Sequence, residues 1–221
     1  MTSAAPHPIV VALTGASGVV YGVRLIQALI ELGRETHVTI SPAGRTVLQH
    51  ELSIELTDDD FATERFLEKA EAALQRFGVV PVASQRDASL LHFHRHDDFM
   101  AAIASGSFRT AGMAICPCSG GTLAAVACGL SSNLIHRAAA VHLKERRPLI
   151  LTPRETPLSL IHLDNLRRVC ELGAIVLPAM PGWYQGVESL ADLIDFIVAR
   201  ILDQLHVEHH LSVRWGNDHL D

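Results

Sequence analysis

The start of the chain repeats one pattern twice, and that repeat restricts the fold more than any other feature. Ile9–Leu13 is a β-branched apolar run that breaks into Thr14-Gly-Ala-Ser-Gly18. Val19, Val23, Ile26 and Ile30 then recur at helical spacing as far as Leu32. After Gly33 a second strand spans Thr36–Ile40 and ends at Ser41-Pro42, with Ser41 suited to an N-cap and Pro42 to the first turn of a helix reaching about Glu51. Each strand thus ends on a hydroxyl residue at its carboxyl edge, where parallel α/β sheets hold ligands.

The same alternation continues. The spacing predicts a charged amphipathic helix over 58–76, a weak strand at Val79–Val82, and a polar stretch over 87–100 carrying His92, His94 and His96. Beyond a loop at 104–107 come a strand over Met113–Cys116, a helix over Leu134–Arg146 and a strand at Leu149–Leu151. A helix over Leu158–Leu172 closed by Gly173, a last strand at Ala174–Leu177 and a long helix over Ser189–Leu205 complete the series, the last with Asp192 placed for a capping box. This order predicts an α/β fold: a doubly wound, mostly parallel sheet in a Rossmann- or flavodoxin-like three-layer arrangement. With 221 residues and no linker or repeat, residues 1–221 read as a single domain, 1–8 as a flexible start, and 206–221 as a tail packing at the site or a subunit interface.

Charge and hydropathy exclude several functions. A net charge of −6 is wrong for a nucleic-acid binder, which needs a basic surface. No apolar run approaches the roughly 18 to 20 residues of a membrane span, and the uncharged start has no signal-peptide character. The four cysteines lie in apolar segments, as small hydrophobes do in a reducing compartment, so the expectation is a soluble cytoplasmic protein.

The chemistry centres on Gly112-Met-Ala-Ile-Cys-Pro-Cys-Ser-Gly-Gly-Thr122, a buried strand breaking into a turn of small and hydroxyl residues. Such turns bring backbone N–H groups and hydroxyls to a phosphate at a helix start. Arg137, Lys144 and Arg154 follow in a part of the chain that otherwise reads as core, with Arg137 and Lys144 on one helix face. A phosphorylated ligand accounts for both features. The Thr14–Gly18 turn lacks G-x-G-x-x-G spacing, its glycines being 15, 18 and 22, and no acidic residue follows the second strand, so a mononucleotide phosphate is favoured over a dinucleotide. Arg154 at a strand's carboxyl edge can grip a phosphate bidentately, and Glu155 beside it can move a proton. Spacing alone leaves Glu51 open between surface and catalytic roles. Trp183-Tyr184 is a wall for an apolar ligand or a cover over core, Arg200 a snorkelling residue or a ligand anchor, and Trp215 covers something such as a neighbouring subunit. Arg146 and Arg147 read as a solvated helix end. His92, His94 and His96 would share a strand face, read as solvated because no Cys or second cluster of familiar ligand spacing lies near in sequence; metal binding is the alternative. Cys116-Pro-Cys118 is not C-x-x-C and reads as a buried strand end.

Taken together, Thr14-Gly-Ala-Ser-Gly-Val-Val-Tyr-Gly22, Cys116-Pro-Cys-Ser-Gly-Gly-Thr-Leu123, Asn133-Leu-Ile-His-Arg-Ala-Ala139, Leu143-Lys-Glu-Arg-Arg-Pro-Leu149 and Pro153-Arg-Glu-Thr-Pro-Leu158 resemble the UbiX/Pad-type flavin prenyltransferases. These lie within the homo-oligomeric flavin-containing Cys decarboxylase superfamily. Ile161-His-Leu163, Pro181-Gly-Trp-Tyr184 and Arg214-Trp215 extend the similarity over nearly the whole chain. The resemblance implies transfer of a dimethylallyl group from dimethylallyl phosphate to N5 and C6 of reduced FMN, giving prenylated FMN for a UbiD-type decarboxylase, without a metal. It places Gly15, Ala16, Ser17, Ser41, Ser119, Gly120, Gly121, Thr122 and Arg154 around FMN. Tyr184 and Arg200 would hold the prenyl phosphate, with Lys144 and Arg137 near it and Trp215 on the substrate side. Glu51 and Glu155 are the implied acid/base residues, with Ser17 and Lys144 beside the chemistry. It also implies a large symmetric homo-oligomer, of dodecameric order, with sites between subunits. Trp183-Tyr-Gln-Gly186 departs from the usual Phe-Tyr-His-Arg or Phe-Tyr-His-Gln, and His136 from a common Glu or Ser, which bears on prenyl-donor choice.

Two other functions compete. An FMN-dependent cysteine decarboxylase of the superfamily would carry Pro-Ala-Ser-Ala-Asn-Thr where this chain has Pro117-Cys-Ser-Gly-Gly-Thr122. A non-catalytic FMN carrier would need no prenyl-phosphate cluster, against which Lys144, Tyr184 and Arg200 count.

Overall fold

The computed structural model describes residues 6–56, 63–80, 87–184 and 186–212. Six strands, β1 (Ile9–Leu13), β2 (Thr36–Ile40), β3 (Leu91–His94), β4 (Gly112–Cys118), β5 (Leu149–Pro153) and β6 (Ile175–Val176), form one sheet in the order β3-β2-β1-β4-β5-β6. Every pair is parallel. Helices α1 (Val19–Glu31), α2 (Pro42–Leu52), α3 (Thr63–Gln75) and α7 (Leu190–Gln204) supply the core on one face. On the other face lie α4 (Gly120–Ala127), α5 (Leu134–Lys144) and α6 (Leu160–Glu171). The expected doubly wound architecture is therefore present, with the sheet parallel throughout.

Both cores follow from the strand sequences. Ile9, Val11 and Leu13 of β1 point into the first, Val10 and Ala12 into the second, and all five are buried. A strand covered on both faces needs an unbroken apolar run rather than an alternating one. Chain order reverses beside β1: β2 lies on one side and β4 on the other. That switch point opens a crevice at the carboxyl ends of β1 and β4. Thr14 closes its floor, its hydroxyl donating to Pro117 O at 2.7 Å and accepting from Ser119 N at 2.8 Å.

Several expectations change. Val79 and Val80 belong to no strand, while Pro81 and Val82 lie outside the described residues. Of the amphipathic helix expected over 58–76, Thr63–Gln75 is helical and 58–62 lie outside the described residues; β4 runs on to Cys118, with a register shift against β5 between Ile115 and Cys118. Cys128 and Cys170 are exposed, unlike Cys116 and Cys118, whose thiols burial pushes up to about 12. Arg147 is not a solvated helix end. Its guanidinium donates to Phe108 O at 2.7 Å and Gly106 O at 2.6 Å, fastening the loop before β4. The tail's described part packs on the chain's own core: Val207 and His209 are buried and Leu211 lies against the first cluster.

One buried histidine makes stability pH-dependent. His142 of α5 is 1% exposed between Thr110 Oγ1 (2.8 Å) and Ala138 O (2.7 Å), and burial pulls its pKa down to about 4. Between that value and the unfolded value near 6.5 the unfolded chain binds the extra proton, so stability falls as pH drops through this window. The full depression corresponds to about 3 kcal/mol. Urea unfolding at pH 7.5 and pH 5 is expected to show a shallower pH dependence for His142→Gln than for the wild type; equal slopes would show that His142 is not held neutral.

Candidate active site

Two helices begin at the crevice, and their N-termini are differently occupied. At α1, Gly18 takes φ 94°, a conformation glycine adopts without strain, and turns its N–H toward the end of α2. There Glu51 accepts from Gly18 N at 3.0 Å and Val19 N at 3.1 Å. A carboxylate thus occupies the positive end of α1. At α4 the N-cap is Ser119, whose Oγ accepts from Thr122 N at 3.3 Å and donates to Thr122 Oγ1 at 3.0 Å. Gly120 and Gly121 follow, in the first turn whose N–H groups have no intrahelical acceptor. Gly121 is exposed, and a Cβ built there would meet nothing within 4 Å.

Both turns were expected to favour a phosphate. The structure separates them: α1 already holds Glu51, and α4 presents the donors. Ser41, the N-cap of α2, accepts from Gly44 N at 3.0 Å and stands at the carboxyl end of β2. Ala16 is buried and Gly15 and Ser17 exposed at the end of β1. Arg154, just past β5, crosses the crevice and donates from Nε to Ser17 O at 3.1 Å. Glu155 is exposed beside it and accepts from Thr156 N at 3.2 Å. A cleft runs from Pro153, Arg154 and Glu155 to Leu166 and Met180. One chain therefore brings together Gly15, Ala16, Ser17, Ser41, Glu51, Ser119, Gly120, Gly121, Thr122, Arg154 and Glu155. Hydroxyls, first-turn amides and a guanidinium beside an apolar cleft fit a phosphate ester with an attached ring system.

The remaining cations stand elsewhere. α5 starts at the carboxyl edge, where Leu134 N bonds to His96 O, and ends just before β5 begins, at the opposite edge. Arg137 donates to Ala104 O at 2.9 Å, and Lys144, ion-paired with Glu145, lies beside Gly106. They do share a helix face, but it is directed at the 104–106 loop. Seven residues of helix put Lys144 about 10 Å further from the carboxyl edge than Arg137. Arg200 pairs with Asp203 at 2.8 Å on the exposed face of α7, one turn beyond Phe196, on which Tyr184 rests edge-on with ring centres 5.8 Å apart. Tyr184 and Arg200 thus share one helix face. Trp183 is 72% exposed, so it covers no core of its own chain; Trp215 lies outside the described residues.

The histidine expectation is corrected in part. His92 and His94 lie in β3 and share a face, but His96 falls beyond the strand, and the side chain that joins them is His37 of β2. Pairing of β2 with β3 supplies this neighbour, and spacing within one segment could not reveal it.

A family model described as Flavoprotein matches residues 2–202. The flavin prenyltransferase UbiX of Pseudomonas aeruginosa is 46% identical over 215 residues, 97% of each chain. That of Halalkalibacterium halodurans is 42% identical over 208 residues, 94% of this chain and 93% of the relative. Among solved structures, AnUbiX (PadA1) in complex with FMN and dimethylallyl pyrophosphate superposes with a TM-score of 0.79 at 36% identity, covering 96% of this chain and 99% of that one. A dodecameric FMN-dependent UbiX-like decarboxylase from Escherichia coli O157:H7 gives 0.77 at 36% identity, covering 95% and 100%. A mutant PPC decarboxylase, 13% identical with a TM-score of 0.55, shares the fold alone.

Proposed function

This chain belongs to the flavoprotein family and, within it, to the UbiX-type flavin prenyltransferases, and from that premise we propose how its own residues divide the work. The reaction is transfer of a dimethylallyl group from a dimethylallyl phosphate ester to reduced FMN. The observation that carries the assignment of residues is the pair of helix N-termini at one crevice, one holding a carboxylate and the other presenting donors.

The start of α4, with the Gly120 and Gly121 amides and the Ser119 and Thr122 hydroxyls, would hold the FMN phosphate. Gly15, Ala16, Ser17 and Ser41 line the ring side, and Arg154 closes over it from β5. Reduced flavin supplies the nucleophilic nitrogen and carbon that take the prenyl group. Glu51, fixed by two backbone amides, is a positioned carboxylate at the turn beside that ring. Glu155 is the second, available to accept the ring proton as the carbon–carbon bond closes. Departure of the phosphate develops charge, which Lys144, Arg137, Arg200 and the Tyr184 hydroxyl stabilise.

One chain does not gather that cationic set around Arg154, so the complete site requires another copy. Exposed apolar side chains support assembly: Leu160 and Ile161 on α6 are 73% and 72% exposed, and Met180 and Trp183 flank the same edge. Isolated exposed leucines are ordinary, but a group around one crevice marks an interface. The assembly is a closed homo-oligomer of the dodecameric type, the product passes to a UbiD-type decarboxylase, and the reaction takes place in the cytoplasm. No helix among the described residues is long and apolar enough to cross a membrane.

Anaerobic incubation with reduced FMN and dimethylallyl phosphate, read by mass spectrometry of the flavin, is expected to give a product heavier by one C5H8 unit. The diphosphate is tried in parallel, since the AnUbiX complex contains the pyrophosphate. Glu155→Gln is expected to retain FMN and slow the transfer by about 100-fold. Bound but unaltered FMN with both donors would favour a carrier. Failure to bind FMN would refute the site.

A further inference from the structure

Away from the crevice, on the face of the sheet that α5 covers, the side chains of Glu35, His37, His92 and His94 meet on two neighbouring strands. His37 pairs with His92 in the parallel register, and Glu35 lies two residues before His37, so all three share a face near the start of β2. One ligand atom from each of Glu35, His37 and His92 lies within 4.8 Å of the others. Two separations are tighter: Glu35 Oε1 is 3.4 Å from His37 Nε2 and 3.3 Å from His92 Nε2. Both are long for a hydrogen bond, whose usual N···O distance is about 2.9 Å. Both match the edge of a tetrahedron around a zinc ion with ligand bonds of about 2.1 Å, an edge of about 3.4 Å, and His37 and His92, within 4.8 Å, draw together on binding the ion.

The surroundings orient the ligands. His37 is 6% exposed, its ring fixed edge-on by Phe108 at 5.1 Å. Its Nδ1 lies 2.7 Å from His94 Nε2, with the two rings 4° from parallel. When His37 Nδ1–H donates to His94, the lone pair of His37 Nε2 is left facing the Glu35 carboxylate. Metal-binding histidines are oriented in this way, the second ring nitrogen donating to an acceptor behind it. Two imidazoles and a carboxylate are a donor set suited to Zn2+.

We propose that Glu35, His37 and His92 form a zinc site tying edge strand β3 to β2, with His94 as the positioning residue behind His37 and water as the fourth ligand. It is separate from prenyl transfer: the crevice lies at the carboxyl ends of the strands, several residues further along β2. Its consequence is to hold the short edge strand in register.

The test uses the untagged, full-length assembled protein and Zn2+ in competition with a chromophoric chelator. The expected result is one Zn2+ per chain and, at a hundredfold excess over Kd, a rise of about 5–10 °C in Tm. Co2+ bound in its place should give the intense visible bands of tetrahedral coordination. His92→Gln, at a half-exposed position, should abolish stoichiometric binding while leaving prenyl transfer unchanged. His94→Gln should weaken binding about 10–100-fold, and His50→Gln, on exposed α2, should have no effect. Absence of saturable binding, or binding that survives His92→Gln, overturns the proposal.

Discussion

Arg24→Ala is expected to destabilise the folded chain by about 3–5 kcal/mol, lowering Tm by about 10 °C, although Arg24 touches no part of the crevice. Arg24 sits on α1 with its side chain 4% exposed, and Nε bonds to Asp195 Oδ1 at 2.7 Å across the α1–α7 contact. Nη1 meets Glu31 at 2.9 Å and Gln27 at 3.0 Å. Burial raises the Asp195 carboxyl, and the guanidinium works against that rise. Removing Arg24 leaves two largely buried carboxylates, Asp195 and Glu31, without the counter-charge they share, a far larger loss than the net worth of the ion pairs. The deficit should narrow as pH falls, because a group with a raised folded pKa binds its proton in the folded state first. Arg24→Met with Asp195→Leu removes the Arg24–Asp195 pair, leaving only Glu31 of the cluster, and should recover part of the loss. Urea unfolding at pH 7 checks both variants, and a loss under about 1 kcal/mol for Arg24→Ala would show the pair to be dispensable. Since Phe196 follows Asp195, the same clamp fixes the helix that carries Arg200 and supports Tyr184.

What the sequence made legible divides along a physical line. Elements set by local pattern are where the spacing puts them: the all-apolar Ile9–Leu13, the Ser41-Pro42 start of α2, and the Ser189/Asp192 capping box on α7. The Thr14–Gly18 and Ser119–Thr122 turns meet at one crevice because the strand order reverses beside β1, a consequence of alternating strands and helices. Hidden features depend on partners distant in sequence. Glu51 reads as a helix-end acid until the fold brings it to Gly18 N, 33 residues away. Arg147 reads as solvated until the 106–108 loop folds over it, and the histidines of β3 lack their neighbour until β2 lies alongside. Helical spacing marks Lys144 with Arg137 as a cation for a phosphorylated ligand, and only the resemblance gives it a place near the prenyl phosphate. In the fold of one chain Lys144 lies beside Gly106 and Glu145, away from the carboxyl edge, so its proposed part in the site calls for a second chain or a movement of α5.

That geometry leads to the sharpest expectation. If Lys144 and Arg154 of different chains build each site, Lys144→Ala and Arg154→Ala should each lose about 10²–10³-fold in prenyl transfer, the usual cost of removing one charge-stabilising donor. Each variant keeps the residue the other lacks. In oligomers reassembled from equal amounts of both, a site needs Arg154 from one neighbour and Lys144 from the other. Random mixing supplies that combination at about one site in four, so activity should return to roughly a quarter of wild type. Mixing the folded homo-oligomers without dissociation should give no recovery, which separates shared sites from simple summation. Reassembled hybrids no more active than their parents would mean that each chain builds its own site and that Lys144 must reach Arg154 by a rearrangement of α5. The two outcomes differ by more than tenfold, so a single-turnover assay of flavin mass suffices to decide between them.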